Sequence, residues 1–122
     1  GSPNDLYNHP QNTFVAEFIG APAMALIDSN IINGIENGNR IGLRAENITI
    51  VPLGEGRLSC RVSEAEFLGS ETLIGLEHEG TTGLNVLQPG LSMLPSGQKI
   101  DITFDDQDLH IFNSAGESIT GQ

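Results

Sequence analysis

Few residues in this sequence are of types that carry chemistry, and their spacing suits little of it. The imidazoles are His9, His78 and His110, the one thiol is Cys60 and the one lysine is Lys99. Paired metal ligands recur at short fixed intervals such as HxxxH or HExxH, and no two of these histidines are so placed. A triphosphate cradle of the GxxxxGK[ST] type needs glycine directly before lysine, but Gln98 precedes Lys99. No G-x-S-x-G elbow offers a serine nucleophile. Asp101, Asp105, Asp106 and Asp108 lack the alternate oxygen ligands, central glycine and closing glutamate of a calcium loop. They read as a solvated acidic face. Cys60 lies in an alternating apolar face and reads as a buried small hydrophobe. His78 continues the Ile74–Leu76 face and reads as a core-edge histidine. The chain is therefore expected to have no catalytic activity of its own.

Charge narrows the partners. Sixteen acidic residues face five basic ones over 122 positions, for a net charge of -11. Such a chain repels phosphate backbones and anionic lipid surfaces, which argues against nucleic acid and against membrane binding. No apolar run approaches the ~20 residues of a membrane helix, so direct membrane insertion is not expected. One cysteine permits no internal disulfide and fits a reduced, cytosolic setting. The length suits one domain with a single core.

The elements that must hold these residues are mostly strands. Only residues 11–19 have helical spacing, with Phe14, Val15, Phe18 and Ile19 on one stripe, closed by Gly20 and Pro22. Beyond them the apolar period is two. Ile31, Ile32 and Ile35 lead into Asn37-Gly38, a two-residue hairpin signal, and Ile41 and Leu43 follow. Leu58, Cys60 and Val62 alternate with polar residues. The phase then slips by one, and Ala65 and Phe67 carry the face onward, which predicts a β-bulge. Further strands follow around Thr72–His78, Leu84–Val86, Ile100–Phe104 and Leu109–Phe112. Phe14, Phe18, Phe67 and Phe104 read as core positions. Short strands between Gly and Pro turns, without βαβ alternation, predict a mainly β fold, a small barrel or sandwich.

Four segments, in order, resemble a known family. Residues 3–24 are similar to the stretch leaving the ATPase domain in ABC import ATPases of the maltose-type carbohydrate group. Ile41-Gly42-Leu43-Arg44-Ala45-Glu46-Asn47-Ile48 resembles that group's G-[IL]-R-P-E-[HN]-I motif, with Ala45 in place of the usual proline. Phe67-Leu68-Gly69-Ser70-Glu71-Thr72 resembles its "lGset" turn, and Asp108-Leu109-His110-Ile111-Phe112-Asn113 its terminal "LHLFD" strand. Leu94-Pro95-Ser96-Gly97-Gln98 is only superficially similar to the LSGGQ signature, because it precedes a strand and lacks the second glycine.

The resemblance implies a C-terminal regulatory domain with a small OB-like (TOBE) β-barrel and a short N-terminal helix. Residues 1–24 would be the helical segment leaving an ATPase domain, and 25–122 the OB-like domain. Arg44, Glu46, Gly69, Leu109, His110 and Phe112 are its motif residues, structural or at an interface. Arg44 and Glu46 fit either an ion pair between subunits or domains, or a local pair within a turn. The intact protein would be the ATP-binding subunit of an importer for sugars or related polyols, peripheral at the cytoplasmic face of the inner (plasma) membrane. ATP and magnesium belong to its upstream domain, with no cofactor in this chain. Its partners would be its own ATPase domain, a second copy of the subunit in a homodimer, and membrane permease subunits reached through the ATPase domain. Two further readings stay open. One is a sensor holding a sugar or an oxyanion, with Ser70, Thr72, Arg44 and Arg61 as the candidate ligands of the oxyanion. The other is a domain that only completes the ATPase fold.

Overall fold

A computed structural model describes residues 23–119. The helix expected over residues 11–19, with Phe14 and Phe18, lies outside them. The described chain is mainly strand: β1 (Ala25–Asp28), β2 (Arg40–Leu43), β3 (Thr49–Val51), β4 (Leu58–Phe67), β5 (Glu71–Glu77), β6 (Thr81–Thr82), β7 (Asn85–Pro89), β8 (Lys99–Thr103) and β9 (His110–Phe112). They form two antiparallel sheets, in the orders β6-β1-β2-β9 and β3-β8-β4-β5-β7.

The alternation read from the sequence makes the core. Ile27, Ile41 and Leu43 of the first sheet meet Leu58, Cys60, Val62, Ile74, Val86 and Ile102 of the second in one buried cluster. β4 organises the second sheet. Its first half pairs with β8 and its second with β5, and the ladder shifts between Val62 and Glu64. That shift is the phase slip, realised as a bulge that bends the long strand.

The expected barrel does not close. The five-stranded sheet curls until β3 and β7 come within 8 Å between Cα atoms. Yet no ladder joins those two edges among the described residues. β3 has only three residues and runs into Pro52, and β7 ends at Pro89. Neither proline has an N–H to extend a ladder. A 3₁₀ turn (Ala45–Asn47) packs against β7 instead.

Three other expectations are corrected. Asn37-Gly38 is not a two-residue hairpin, because residues 29–39 all lie between β1 and β2. Ile31, with Ser29 and Asn30, forms a 3₁₀ turn. The Asp28 carboxylate accepts from Asn30 N–H at 3.0 Å, and Ser29 Oγ accepts from Asn39 N–H at 3.0 Å. These bonds give the backbone an alternative to the ladder. Phe67 is 46% exposed rather than core, at the last position of β4, where the chain leaves the strand for the β4–β5 turn. Asp101 is 3% exposed rather than solvated.

Candidate functional site

The motif residues fall into two groups. β2 and β9 are adjacent, with Gly42 opposite His110 and Arg40 opposite Phe112. Here the inner face carries Ile41, Leu43 and Ile111, and the reverse face is apolar as well. Met24, Leu26 and Phe112 form a second buried cluster, and Phe112 is fully buried. Gly42 leaves the space that this cluster fills. A Cβ at Gly42 would come within 2.3 Å of Met24 Sδ and 2.8 Å of Phe112 Cε2. Leu109 is buried in the main core, while His110 is half-buried. Arg44 leaves β2 at 3% exposure and accepts at its carbonyl from Asn47 N–H at 2.9 Å, closing the 3₁₀ turn. Glu46 is exposed on that turn.

Gly69 lies elsewhere, in the β4–β5 turn, at φ +103°, a left-handed backbone that favours glycine. The residue that does most for this region is Thr72. It is fully buried, and its hydroxyl donates to Gly90 O at 2.7 Å and accepts from Ser92 N–H at 2.9 Å. Gly90 N–H also donates to Ser70 O at 2.9 Å. The "lGset" segment thus ties down the loop after β7. Sequence reading placed Thr72 on a face but had no signal for its partners.

Asp101 performs a similar task at the other end of the five-stranded sheet. Its carboxylate accepts from Ser59 Oγ at 2.6 Å, Gly56 N–H at 2.9 Å and Gly54 N–H at 3.0 Å. The Ser59 bond first, then the Gly56 amide, hold its pKa below the ordinary 3.8. Gly56 is required here, since a Cβ would meet Ile102 O at 2.5 Å. Nearby, Arg57 donates to Phe104 O at 3.0 Å, pairs with Asp106 at 2.7 Å and lies over the Phe104 ring at 4.6 Å from its centroid. The acidic run is thus partly structural. Burial first, then the Asp101 charge, push the Cys60 thiol up to about 11, so it stays protonated and unreactive at neutral pH.

A cleft of about 410 Å³ lies between the two free sheet edges, lined by Glu46, Ile48, Ile50, Glu71 and Gln88 among others. Gln88 Oε1 is buried there with no hydrogen-bond partner. Of the oxyanion ligands suggested by the sequence, Ser70, Thr72, Arg44 and Arg61, three are buried or already bonded. Arg44 is buried, the Thr72 hydroxyl is committed to Gly90 and Ser92, and Arg61, between Lys99 on β8 and Glu77 on β5, donates to Gly97 O at 3.3 Å. No helix among the described residues is long and apolar enough to cross a membrane.

The family model of the TOBE domain matches residues 41–112, from β2 to the end of β9. The chain belongs to the TOBE domain family. This TOBE domain is 30% identical to the alpha-glucoside transport ATP-binding protein AglK of Rhizobium meliloti, over 97% of the chain and 40% of the relative. It is 31% identical to the sn-glycerol-3-phosphate import ATP-binding protein UgpC 3 of Agrobacterium fabrum, over 98% of the chain and 39% of the relative. With UgpC of Ruegeria pomeroyi it shares 33% identity, over 93% of the chain and 36% of the relative. The chain thus spans about 40% of the length of the curated relatives it matches.

Proposed function

We propose that this TOBE domain is the non-catalytic regulatory and dimerisation module of an importer's ATP-binding subunit, serving uptake of sugars or related polyols. The observation that carries the proposal is the TOBE match over residues 41–112, in a chain whose relatives are named for alpha-glucoside transport and sn-glycerol-3-phosphate import. In such a subunit ATP and magnesium belong to an upstream ATPase domain. The residues here do not fit a nucleotide site, since Lys99 is exposed at the start of a strand and not at the head of a helix. The domain acts by contact. A fixed association between two copies is a hinge about which the ATPase halves open and close without dissociating. The subunit sits peripherally at the cytoplasmic face of the inner membrane, and its ATPase domain meets the permease. Sedimentation velocity of the chain at rising concentration tests the hinge. A dimer is expected, and a strict monomer at the highest concentration reached would remove the self-association while leaving family membership intact.

The cleft between β3 and β7 favours a second reading, a sugar or polyol sensor. Its Glu46 and Glu71 carboxylates accept hydrogen bonds from hydroxyl donors and disfavour oxyanions. A ligand bound only by the folded state raises the melting temperature. A screen of sugars and polyols that yields no shift would dismiss this reading.

A further inference from the structure

We propose that residues 11–19 of this chain, through Phe14, Val15, Phe18 and Ile19, cover the outer face of the four-stranded sheet, seated over Met24, Leu26, Gly42 and Phe112. The inference goes beyond the hinge proposed above and does not depend on it.

Two sheets packed face to face bury their inner sides and leave polar residues on their outer sides. The outer side of β6-β1-β2-β9 departs from this. Leu26 stands opposite Gly42, on the face turned away from Ile27 and Ile41 of the main core. Met24 and Phe112 complete the cluster there, and Met24, Leu26 and Phe112 are 2%, 2% and 0% exposed. The sheet lies beneath these three side chains, so burial this complete needs a cover above them. Among the described residues no further apolar side chain packs against them, whereas several pack at the margin of the main core. The burial occurs within one chain, so the cover belongs to the chain itself.

Elimination names the segment. Residues 1–22 and 120–122 are what remains of the chain, and Thr120-Gly121-Gln122 has no large apolar side chain. Residues 11–19 carry Phe14, Val15, Phe18 and Ile19 on one stripe, wide enough to bury against an apolar face. They also lead directly into the cluster, because Met24 follows Ile19 after residues 20–23. That link spans at most about 17 Å, and Gly20 and Pro22 within it suit a reversal. The width of the covered area agrees. Thr82, opposite Leu26, and Arg40, opposite Phe112, are exposed, so the cover is a strip of about one segment and not a second sheet. Where the chain follows an ATPase domain, this seat makes the junction a splint and not a free tether, and that consequence alone rests on the function proposed above.

The test uses the two methionines of the 122-residue chain, Met24 in the cluster and Met93 at 65% exposure, which serves as an internal reference. Peroxide oxidation follows exposure and is read at each site by mass spectrometry. Met24 should oxidise at least about tenfold more slowly than Met93. Phe14→Ser and Phe18→Ser should each speed Met24 by about tenfold or more and leave Met93 unchanged. Glu17→Gln, off the stripe, should change neither. Cys60, buried in the main core, reports global unfolding and should stay closed to thiol reagents in every variant. Should a variant unfold, nuclear Overhauser contacts from the Met24 and Leu26 methyls to the Phe14 and Phe18 rings of the unaltered chain carry the test alone. Met24 as fast as Met93, Met24 still protected in both serine variants, or absence of those contacts would overturn the proposal. So would contacts found only between differently labelled copies, which would assign the face to a second copy. Sedimentation of the same samples reads the hinge separately.

Discussion

Gly42→Ala is the sharpest test of how the motif strand works. Gly42 stands between Leu26 and His110 in the ladder, and its backbone is not in the left-handed region. Loss of glycine therefore costs no backbone strain, and only packing is tested. The new Cβ would sit 2.3 Å from Met24 Sδ and 2.8 Å from Phe112 Cε2. The sulfur is near the end of a flexible side chain and can swing aside. The ring is fully buried, and its edge would be about 0.6 Å inside ordinary van der Waals contact. Overpacking of this kind costs about 1–3 kcal/mol. For a domain of about 100 residues each kcal/mol lowers the melting temperature by roughly 4–8 °C. Calorimetry of Gly42→Ala, Met24→Ala and the double variant checks this. The two changes should be non-additive, since removing the sulfur relieves part of the clash. A Gly42→Ala variant as stable as the parent, or fully additive changes, would refute the close packing of Met24 and Phe112 over Gly42.

Three other outcomes are expected. Thr72→Val keeps the shape but strands Gly90 O and Ser92 N–H, so it should cost about 1–3 kcal/mol and speed amide exchange at Ser92. Because the folded pKa of Asp101 is lowered, its stabilisation is present above the unfolded value of 3.8 and is lost as pH falls through the folded value. Asp101→Asn, with one acceptor oxygen for three donors, should be less stable at neutral pH and show a flatter acid limb in a melting series from pH 7 to pH 2. Lys99 stands directly opposite Arg61, a like-charge pair, so Lys99→Glu should stabilise by about 0.2–1 kcal/mol, with the gain shrinking in high salt.

Much of the fold could be read from residue order. The two-residue period marks the strands that build the core, and the phase slip after Val62 marks the bulge. What could not be read depends on which element faces which. Phe67 keeps the apolar phase of Ala65, but the period does not say that burial stops before the last residue of β4. Asp101 has the phase of an outward residue, yet Gly54 and Gly56 turn their amides onto it from the β3–β4 loop. Asn37-Gly38 has the composition of a tight hairpin, but Asp28, Ser29 and Asn30 divert the chain before it. The same holds for the motif residues. Their types were legible, but the burial of Arg44 and the space over Gly42 arise from contacts with distant segments. The Thr72 clasp is likewise non-local.

In the function proposed above, this TOBE domain holds two ATP-binding subunits together by contact. The direct measurement is the sedimentation of the intact subunit, and of one lacking residues 25–122, as ATP is withdrawn. The intact subunit should remain dimeric, and the shortened one should fall to monomers. Equal behaviour of the two would contradict the claim.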